Sequence, residues 1–305
     1  MKTVVIFGGS GFVGRHIIRR LAKKGYKLII PYQILPDLPK LRILGNVGQI
    51  IPIRFKNLED DIIIKSINNA DAIINLKTIW DEGNISFENG ILKFNRELID
   101  IIKIKNTLAS YIFFSGLGVD ESSLSQRIKN IAKSENYILK NFHNSIILRP
   151  GIILGGNDNF LGRLIPIMKF SPFIPLFGGG NSNIQPVFID DVAKAVELLL
   201  EKQNYNKSKK IYEIYGREIF TYSSLYLLIG NFLNIKRIYF FFPFSLAKIF
   251  FKILRIFGIK ILTNEQLELF KNDNLPTKEH LSLHTLGINP NNVSAVIKNS
   301  IKKYL

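Results

Sequence analysis

Val4-Val5-Ile6-Phe7-Gly8-Gly9-Ser10-Gly11-Phe12-Val13-Gly14-Arg15 is the stretch whose reading decides the fold. Four apolar residues in a row predict a buried strand, and the glycines end it abruptly. Helical periodicity starts at once, with Val13, Ile17, Ile18 and Leu21 on one face and Arg15, Arg19, Lys23 and Lys24 opposite. Gly25 then stops the helix. Gly8, Gly11 and Gly14 are spaced for a dinucleotide-type turn, one place off the simplest G-x-G-x-x-G form. The first glycine makes the tight turn, the second lets backbone approach a pyrophosphate, and the third lets the helix pack closely on the strand. The helix N-terminus adds N–H groups and positive potential. Gly8, Gly9, Ser10, Gly11, Phe12, Val13, Gly14 and Arg15 are therefore the first candidate binding residues. A glycine-rich turn without a ligand is the plainer alternative, and the strand–turn–amphipathic helix context weighs against it.

The 305 residues suffice for one large α/β domain with a smaller appendage, and 47% hydrophobic content allows a sizeable core. The absence of cysteine excludes disulfides, thiolate metal sites and a cysteine nucleophile. Of the four histidines, His280 and His284 are four apart, but Leu281, Leu283 and Leu286 around them predict an ordinary packed segment; no metal site is expected. Forty-one basic against 24 acidic residues give a net charge of +17, which calls for a polyanionic neighbour: nucleic acid, an anionic membrane or an acidic protein. No signal or transit-like leader precedes the first strand, so the expectation is a protein that stays in the cytoplasm where it is made.

Downstream, strand and helix alternate. Strands are predicted over 27–31, 49–55, 71–76, 111–115 and 146–149, and helices over 58–67, 91–104 and 124–141. That order implies a Rossmann-type, doubly wound parallel sheet with right-handed crossovers. Tyr32 and Gln33 form the tip of the second strand, where an acid would select NAD and a base NADP. The tip has neither, and Arg15, Lys40 and Arg42 are the nearest bases, so the choice leans slightly toward NADP(H). Asn75 and Leu76 end the strand expected beneath the cofactor, Ser115 ends the next, and Pro150 closes the sixth. After Gly151 the pattern loosens, with glycine-rich loops, a helix over 190–202, a strand over 211–215 and a helix over 222–233. The expected division is a dinucleotide-binding unit over 1–155, with 184–216 returning to it, and a smaller, mostly helical unit over 156–305.

These motifs, together with Leu148-Arg149-Pro150 and Gln185-Pro186-Val187-Phe188-Ile189-Asp190-Asp191-Val192-Ala193, resemble the extended and atypical short-chain dehydrogenase/reductases, the NAD-dependent epimerase/dehydratase type. Ile29-Ile30-Pro31-Tyr32, Leu41-Arg42 with Gly45 and Gly48-Gln49, Ile73-Ile74-Asn75-Leu76 and Leu262-Thr263 are similar to one branch in particular, the NADPH-binding accessory subunits of respiratory complex I and their bacterial relatives. The resemblance runs from Val4 to about Leu286. It implies a bound nicotinamide dinucleotide and membrane-complex subunits as partners on the cytoplasmic face of the inner membrane. Active members of the superfamily carry Tyr-x-x-x-Lys after the serine-bearing strand, the tyrosine transferring a proton and the lysine lowering its pKa. Counting from Ser115 and from Arg149-Pro150 puts that pair at Arg127 and Ile131, neither of which can do the work. Tyr137 stands too late in the helix. No catalytic residue is therefore assigned.

A second stretch points to a surface. No acidic residue occurs between Glu218 and Glu265, while Lys236, Arg237, Lys248, Lys252, Arg255 and Lys260 do. A basic amphipathic helix is expected within 244–257. From Leu246 to Phe257, Lys248, Lys252 and Arg255 form one stripe among Ile249, Phe250, Phe251, Ile253, Leu254 and Ile256. The charges recur too often for a transmembrane span, and the pattern is that of a helix lying on an anionic membrane, its bases uncompensated by acids. A core helix or a lid over a cleft is the plainer alternative. Three functions remain: a non-catalytic dinucleotide-binding accessory subunit, an active reductase or nucleotide-sugar epimerase/dehydratase, and a nucleic-acid binder. The missing tyrosine and lysine oppose the second. No recognisable nucleic-acid motif supports the third.

Overall fold

The structure is a computed structural model that describes residues 1–83, 85–201, 210–258 and 262–302. Six strands carry the first half of the chain: β1 (Thr3–Phe7), β2 (Lys27–Tyr32), β3 (Ile50–Arg54), β4 (Ala72–Asn75), β5 (Ser110–Phe114) and β6 (Ser145–Pro150). Short strands follow: β7 (Ile153–Leu154), β8 (Phe173–Phe177), β9 (Asn183–Ile184), β10 (Val187–Phe188), β11 (Ile211–Ile214), β12 (Phe220–Thr221), β13 (Ile238–Phe242) and β14 (Leu281–Ser282). The main sheet has eight parallel strands in the order β14-β11-β6-β5-β4-β1-β2-β3. The chain steps outward from β1 to β3 and then returns to the other side of β1. The switch point therefore lies between β1 and β4, where doubly wound sheets bind ligands.

The helices are α1 (Phe12–Lys23), α2 (Leu38–Arg42), α3 (Asp61–Asn68), α4 (Phe94–Lys105), α5 (Gln126–Asn141), α6 (Asn159–Phe170), α7 (Ile189–Glu201), α8 (Tyr222–Phe232), α9 (Phe244–Ile256), α10 (Asn264–Glu268) and α11 (Val293–Ile301). Period-two alternation in β1 sends Val4 and Ile6 to one face and Val5 and Phe7 to the other. Both faces are covered, which is why the strand reads as an unbroken apolar run. On the first face lie Ile17, Ile18 and Leu21 of α1 and Val192, Val196 and Leu199 of α7. On the second lie Ile63 of α3, Leu98 and Ile102 of α4 and Ile131 and Ile138 of α5. A third core gathers α6, α8, α9 and α11 around Leu164, Met168, Leu225, Ile229 and Ile297.

The alternating α/β reading holds, and two local expectations change. The helix expected over 91–104 begins as a π-helical turn, Glu88–Lys93, before α4. The helix expected over 124–141 starts at Gln126, because the Ser125 side chain caps it by accepting from Ile128 N–H. The aromatic run before α9 is a strand: β13 pairs in parallel with β8, Ile238 opposite Phe173 through Phe242 opposite Phe177. Lys202, expected to end α7, lies outside the described residues.

Candidate functional site

The glycine turn is built by close backbone approaches that no side chain could share. Gly8 has φ +75°, and a Cβ on it would stand 2.9 Å from the Leu76 carbonyl carbon and the Lys77 nitrogen as the chain leaves β4. A Cβ on Gly14 would lie 2.3 Å from the Gly9 oxygen, so α1 sits almost directly on the turn. Gly11 is different. It is the exposed N-cap of α1, offers no side-chain cap, and a Cβ there would meet only the Gly8 oxygen at 3.4 Å. The first-turn N–H groups of α1 thus face an open approach. That uncapped, glycine-lined cradle fits an anionic phosphate bridge.

The other candidates rim the same C-terminal edge of the sheet. Tyr32 and Gln33 leave β2, Asn75 and Leu76 leave β4, Ser115 follows β5 and Pro150 ends β6. Asn75 is fully buried and committed to the protein: its Nδ2 donates to Asn95 Oδ1 at 2.8 Å, and its Oδ1 accepts from Lys77 N–H at 3.0 Å. It shapes the exit of β4 from below. Ser115 is the reverse case, since its buried Oγ has no hydrogen-bond partner in the protein. An orphaned hydroxyl at the end of β5 is a second observation that fits a bound ligand. Phe12 and Val13 pack against the first core, Phe12 edge-on to His16 with ring centroids 5.2 Å apart. Arg15 and Ser10 are half-buried beside the turn. A hollow of about 500 Å³ lined by Asn69, Asp71, Asn106 and Asn144 opens at the opposite edge of the sheet, away from all of these residues.

Sequence reasoning missed Lys77. Its Nζ donates to Gln33 Oε1 at 3.1 Å and lies 3.9 Å from the centre of the Phe94 ring. Burial holds its pKa below the ordinary lysine value. Only the fold brings the exit of β4 alongside the tip of β2, so no spacing in the sequence signals this contact.

Farther along the same edge, Arg127 stands one residue into α5. Its Nε donates to the Ile79 carbonyl at 2.9 Å and its Nη2 to Thr78 Oγ1 at 3.0 Å, and the guanidinium lies 3.6 Å from the centre of the Trp80 ring. Burial pulls its pKa down to about 10, so it stays protonated at neutral pH. Ile131, one turn on, is buried in the second core. Tyr137 donates its hydroxyl to Asp100 Oδ1 on α4 at 2.7 Å. The arginine therefore clamps the segment 78–80 onto α5 and offers no proton to exchange at neutral pH.

The basic stripe on α9 needs correction. Lys248 pairs with Glu268 at 2.8 Å and Arg255 with Asp81, so two of the three bases are compensated by acids from α10 and from the segment after β4. Sequence distance hid both partners. Arg237 is likewise committed, to the carbonyls of Met168 and Lys169, and Lys260 lies outside the described residues. Most of the apolar side chains face outward alongside the bases. Ala247 and Phe251 are buried, while Leu246, Ile249, Phe250, Ile253, Ile256 and Phe257 are exposed, the last two by 78% and 75%. Ile238, Phe240 and Phe241 on β13 and Phe170 and Phe173 beside it are exposed as well. Among the described residues no helix is long and apolar enough to cross a membrane.

Residues 4–105 match the NAD dependent epimerase/dehydratase family. The resemblance read from the motifs is borne out. Subunit 9 of the NADH dehydrogenase (ubiquinone) 1 alpha subcomplex from Arabidopsis thaliana, a mitochondrial protein, is 31% identical over 245 residues, 80% of this chain and 61% of the relative. Its counterpart from Dictyostelium discoideum is 30% identical over 71% of this chain and 60% of its own length. The chain thus spans about three fifths of these two relatives. The mitochondrial NADH-ubiquinone oxidoreductase 40 kDa subunit of Neurospora crassa is 23% identical over 99% of this chain and 79% of its own. Among solved structures, UDP-glucuronic acid 4-epimerase from Bacillus cereus, in complex with UDP-glucuronic acid and NAD, aligns with a TM-score of 0.75 at 18% identity, covering 99% of this chain and 100% of the other. That likeness carries the fold.

Proposed function

We propose that the chain is a nicotinamide-dinucleotide-binding accessory subunit of a membrane NADH:quinone oxidoreductase, without dehydrogenase chemistry of its own. The observation that carries this reading is a contrast along one edge of the sheet: the glycine turn leaves an open approach, while Arg127, expected at the proton-transfer position, is tied to Thr78 and Ile79. The relatives named as subunits of that complex support the assembly. Gly8, Gly9, Ser10, Gly11, Phe12, Val13, Gly14 and Arg15 would form the pyrophosphate cradle, Tyr32 and Gln33 the ribose contact, and Leu76, Ser115 and Pro150 the nicotinamide side, with Asn75 supporting from below. The bound dinucleotide would supply a hydride donor or acceptor; neither Arg127 nor Ile131 would complete the proton transfer. NADP(H) is favoured because no acid stands at Tyr32 or Gln33.

The exposed face of α9 and β13 supports peripheral attachment to an anionic bilayer beside the complex, on the cytoplasmic face of the inner membrane. Aromatic and aliphatic side chains would enter the headgroup boundary, with Lys236 and Lys252 at its rim. Co-purification from gently solubilised membranes tests the assembly: the chain should migrate with the large complex. Calorimetry with NADPH and NADH tests the cradle, and heat with neither would reject it.

A further inference from the structure

Lys77 reaches the place where doubly wound folds read the adenosine ribose. The tip of the second strand touches the ribose 2′ position, and here that tip is Tyr32, which ends β2, and Gln33, which follows it. Gln33 is pinned, its Nε2 donating to the Lys56 carbonyl at 3.0 Å while its Oε1 accepts from Lys77 Nζ at 3.1 Å. The lysine is held from both ends. Its backbone N–H is fixed by Asn75 Oδ1, and its ammonium rests over Phe94, whose ring lies edge-on to Phe7 with centroids 5.8 Å apart. Glu97, the one acid that raises the affinity of Lys77 for its proton, pairs with Lys93 at 3.8 Å. No carboxylate among the described residues forms an ion pair with Lys77. Of the bases expected near this tip, Lys40 is neutralised by Asp37 at 2.8 Å. A half-buried ammonium without a counter-ion is what an incoming dianion would complete, and two of its three N–H donors remain after Gln33 is served.

We propose that Lys77 reads the 2′-phosphate of the bound dinucleotide, reaching it from β4 across the end of β1, so that the site selects 2′-phosphorylated adenosine ligands. The proposal rests on the dinucleotide reading above and adds the residue that sets cofactor choice.

The test is calorimetry on the full chain with NADPH, NADH, 2′,5′-ADP and 5′-AMP. Lys77→Met should weaken NADPH and 2′,5′-ADP by about 10- to 100-fold, the scale of one charge-assisted hydrogen bond. NADH and 5′-AMP should move by less than about twofold. Lys77→Arg should keep the preference for the phosphorylated ligands, which shows that charge, not shape, is read. Gln33→Glu should reverse the preference by placing an acid at the ribose. If Lys77→Met weakens NADPH and NADH alike, or neither, Lys77 only supports the loop and the proposal is overturned while dinucleotide binding stands. If the wild-type chain binds none of the four, the dinucleotide reading itself fails and takes the proposal with it.

Discussion

The β1–α1 and α5 ends of the sheet's C-terminal edge are built on different principles. At the β1–α1 end, the candidate ligand surface is backbone: Gly8 and Gly14 sit where any Cβ would strike main-chain atoms, and Gly11 leaves the approach open. At the α5 end, the surface is made of side chains. Arg127 bonds to the 78–80 segment, and Asp81, the next residue, pairs with Arg255 of α9. A backbone cradle cannot be altered piecemeal without losing the turn. Side-chain chemistry can be exchanged one residue at a time on an unchanged scaffold. Binding and catalysis can therefore part company within one fold.

The sharpest break in that comparison is at the third glycine. Gly14→Ala puts a methyl 2.3 Å from the Gly9 oxygen and 2.5 Å from its Cα, and neither atom belongs to a side chain that can swing away. Destabilisation of about 3 kcal/mol or more is expected, at the upper end of overpacking costs, with a fall in melting temperature of several degrees. Gly11→Asp should do the opposite. Its Cβ has room, so the melt should change little, yet the carboxylate would face the phosphate position and abolish dinucleotide binding in calorimetry. Equal loss of stability in both variants would show that the turn is one rigid unit with no separate ligand face.

At the other end, Arg127→Ala should loosen the 78–83 segment, seen as faster proteolysis there. Stability should fall by about 1–3 kcal/mol, the range for charged hydrogen bonds. Dinucleotide affinity should fall less than in Gly11→Asp. Neither wild type nor variant should consume NADPH above background with carbonyls or sugar nucleotides. Turnover by the wild-type chain that Ser115→Ala removes would mean that the orphaned hydroxyl is catalytic, and the contrast between the two ends would collapse.

Legibility followed the same division. Features written in consecutive residues were plain in the sequence: the glycine turn, the buried strands and the alternation that gives the parallel sheet. Features made by residues far apart were not. Lys77 meets Gln33 across 44 positions, Arg255 meets Asp81 across 174, and Lys248 finds Glu268 on another helix. A charge run read without its partners looks uncompensated. The periodicity of α9 was sound, but it could not say which residues faced the protein: Ala247 and Phe251 turn inward, while the bases and most of the other apolar side chains are exposed.

That orientation gives a smaller, separable pair of effects. Phe250→Ser with Ile253→Ser and Ile256→Ser should lower recovery with anionic vesicles while leaving the melt unchanged or slightly raised, since these residues are exposed. Lys248→Glu with Arg255→Glu should instead lower the melt by breaking the links to Glu268 and Asp81. Both pairs are partly exposed, so the loss should stay near 1 kcal/mol, most of it from placing like charges together. If charge reversal releases the chain from vesicles and the serine variant does not, attachment is electrostatic and the apolar face serves another purpose.

The smallest expected effect lies back at the cradle and concerns pH. His16, one turn into α1, packs on Phe12 and sits 3.3 Å from Asp190 Oδ1 at the start of α7. Burial lowers its pKa, outweighing the hydrogen bond and charge of Asp190, which pull the other way. The folded chain therefore releases this proton more readily than the unfolded one, whose imidazole titrates near its ordinary value of about 6.5. Stability from this residue is present above that value and is lost as pH falls through the lower, folded pKa. Thermal melts between roughly pH 7.5 and 5 should show a decline, of which His16→Gln removes a part worth a few tenths to about 1 kcal/mol. A variant whose pH profile is superimposable on that of wild type would assign the acid sensitivity to other groups. A variant that is more stable at neutral pH and less so in acid would mean that Asp190 captures the proton, and the α1–α7 contact beside the cradle would then tighten, not loosen, on acidification.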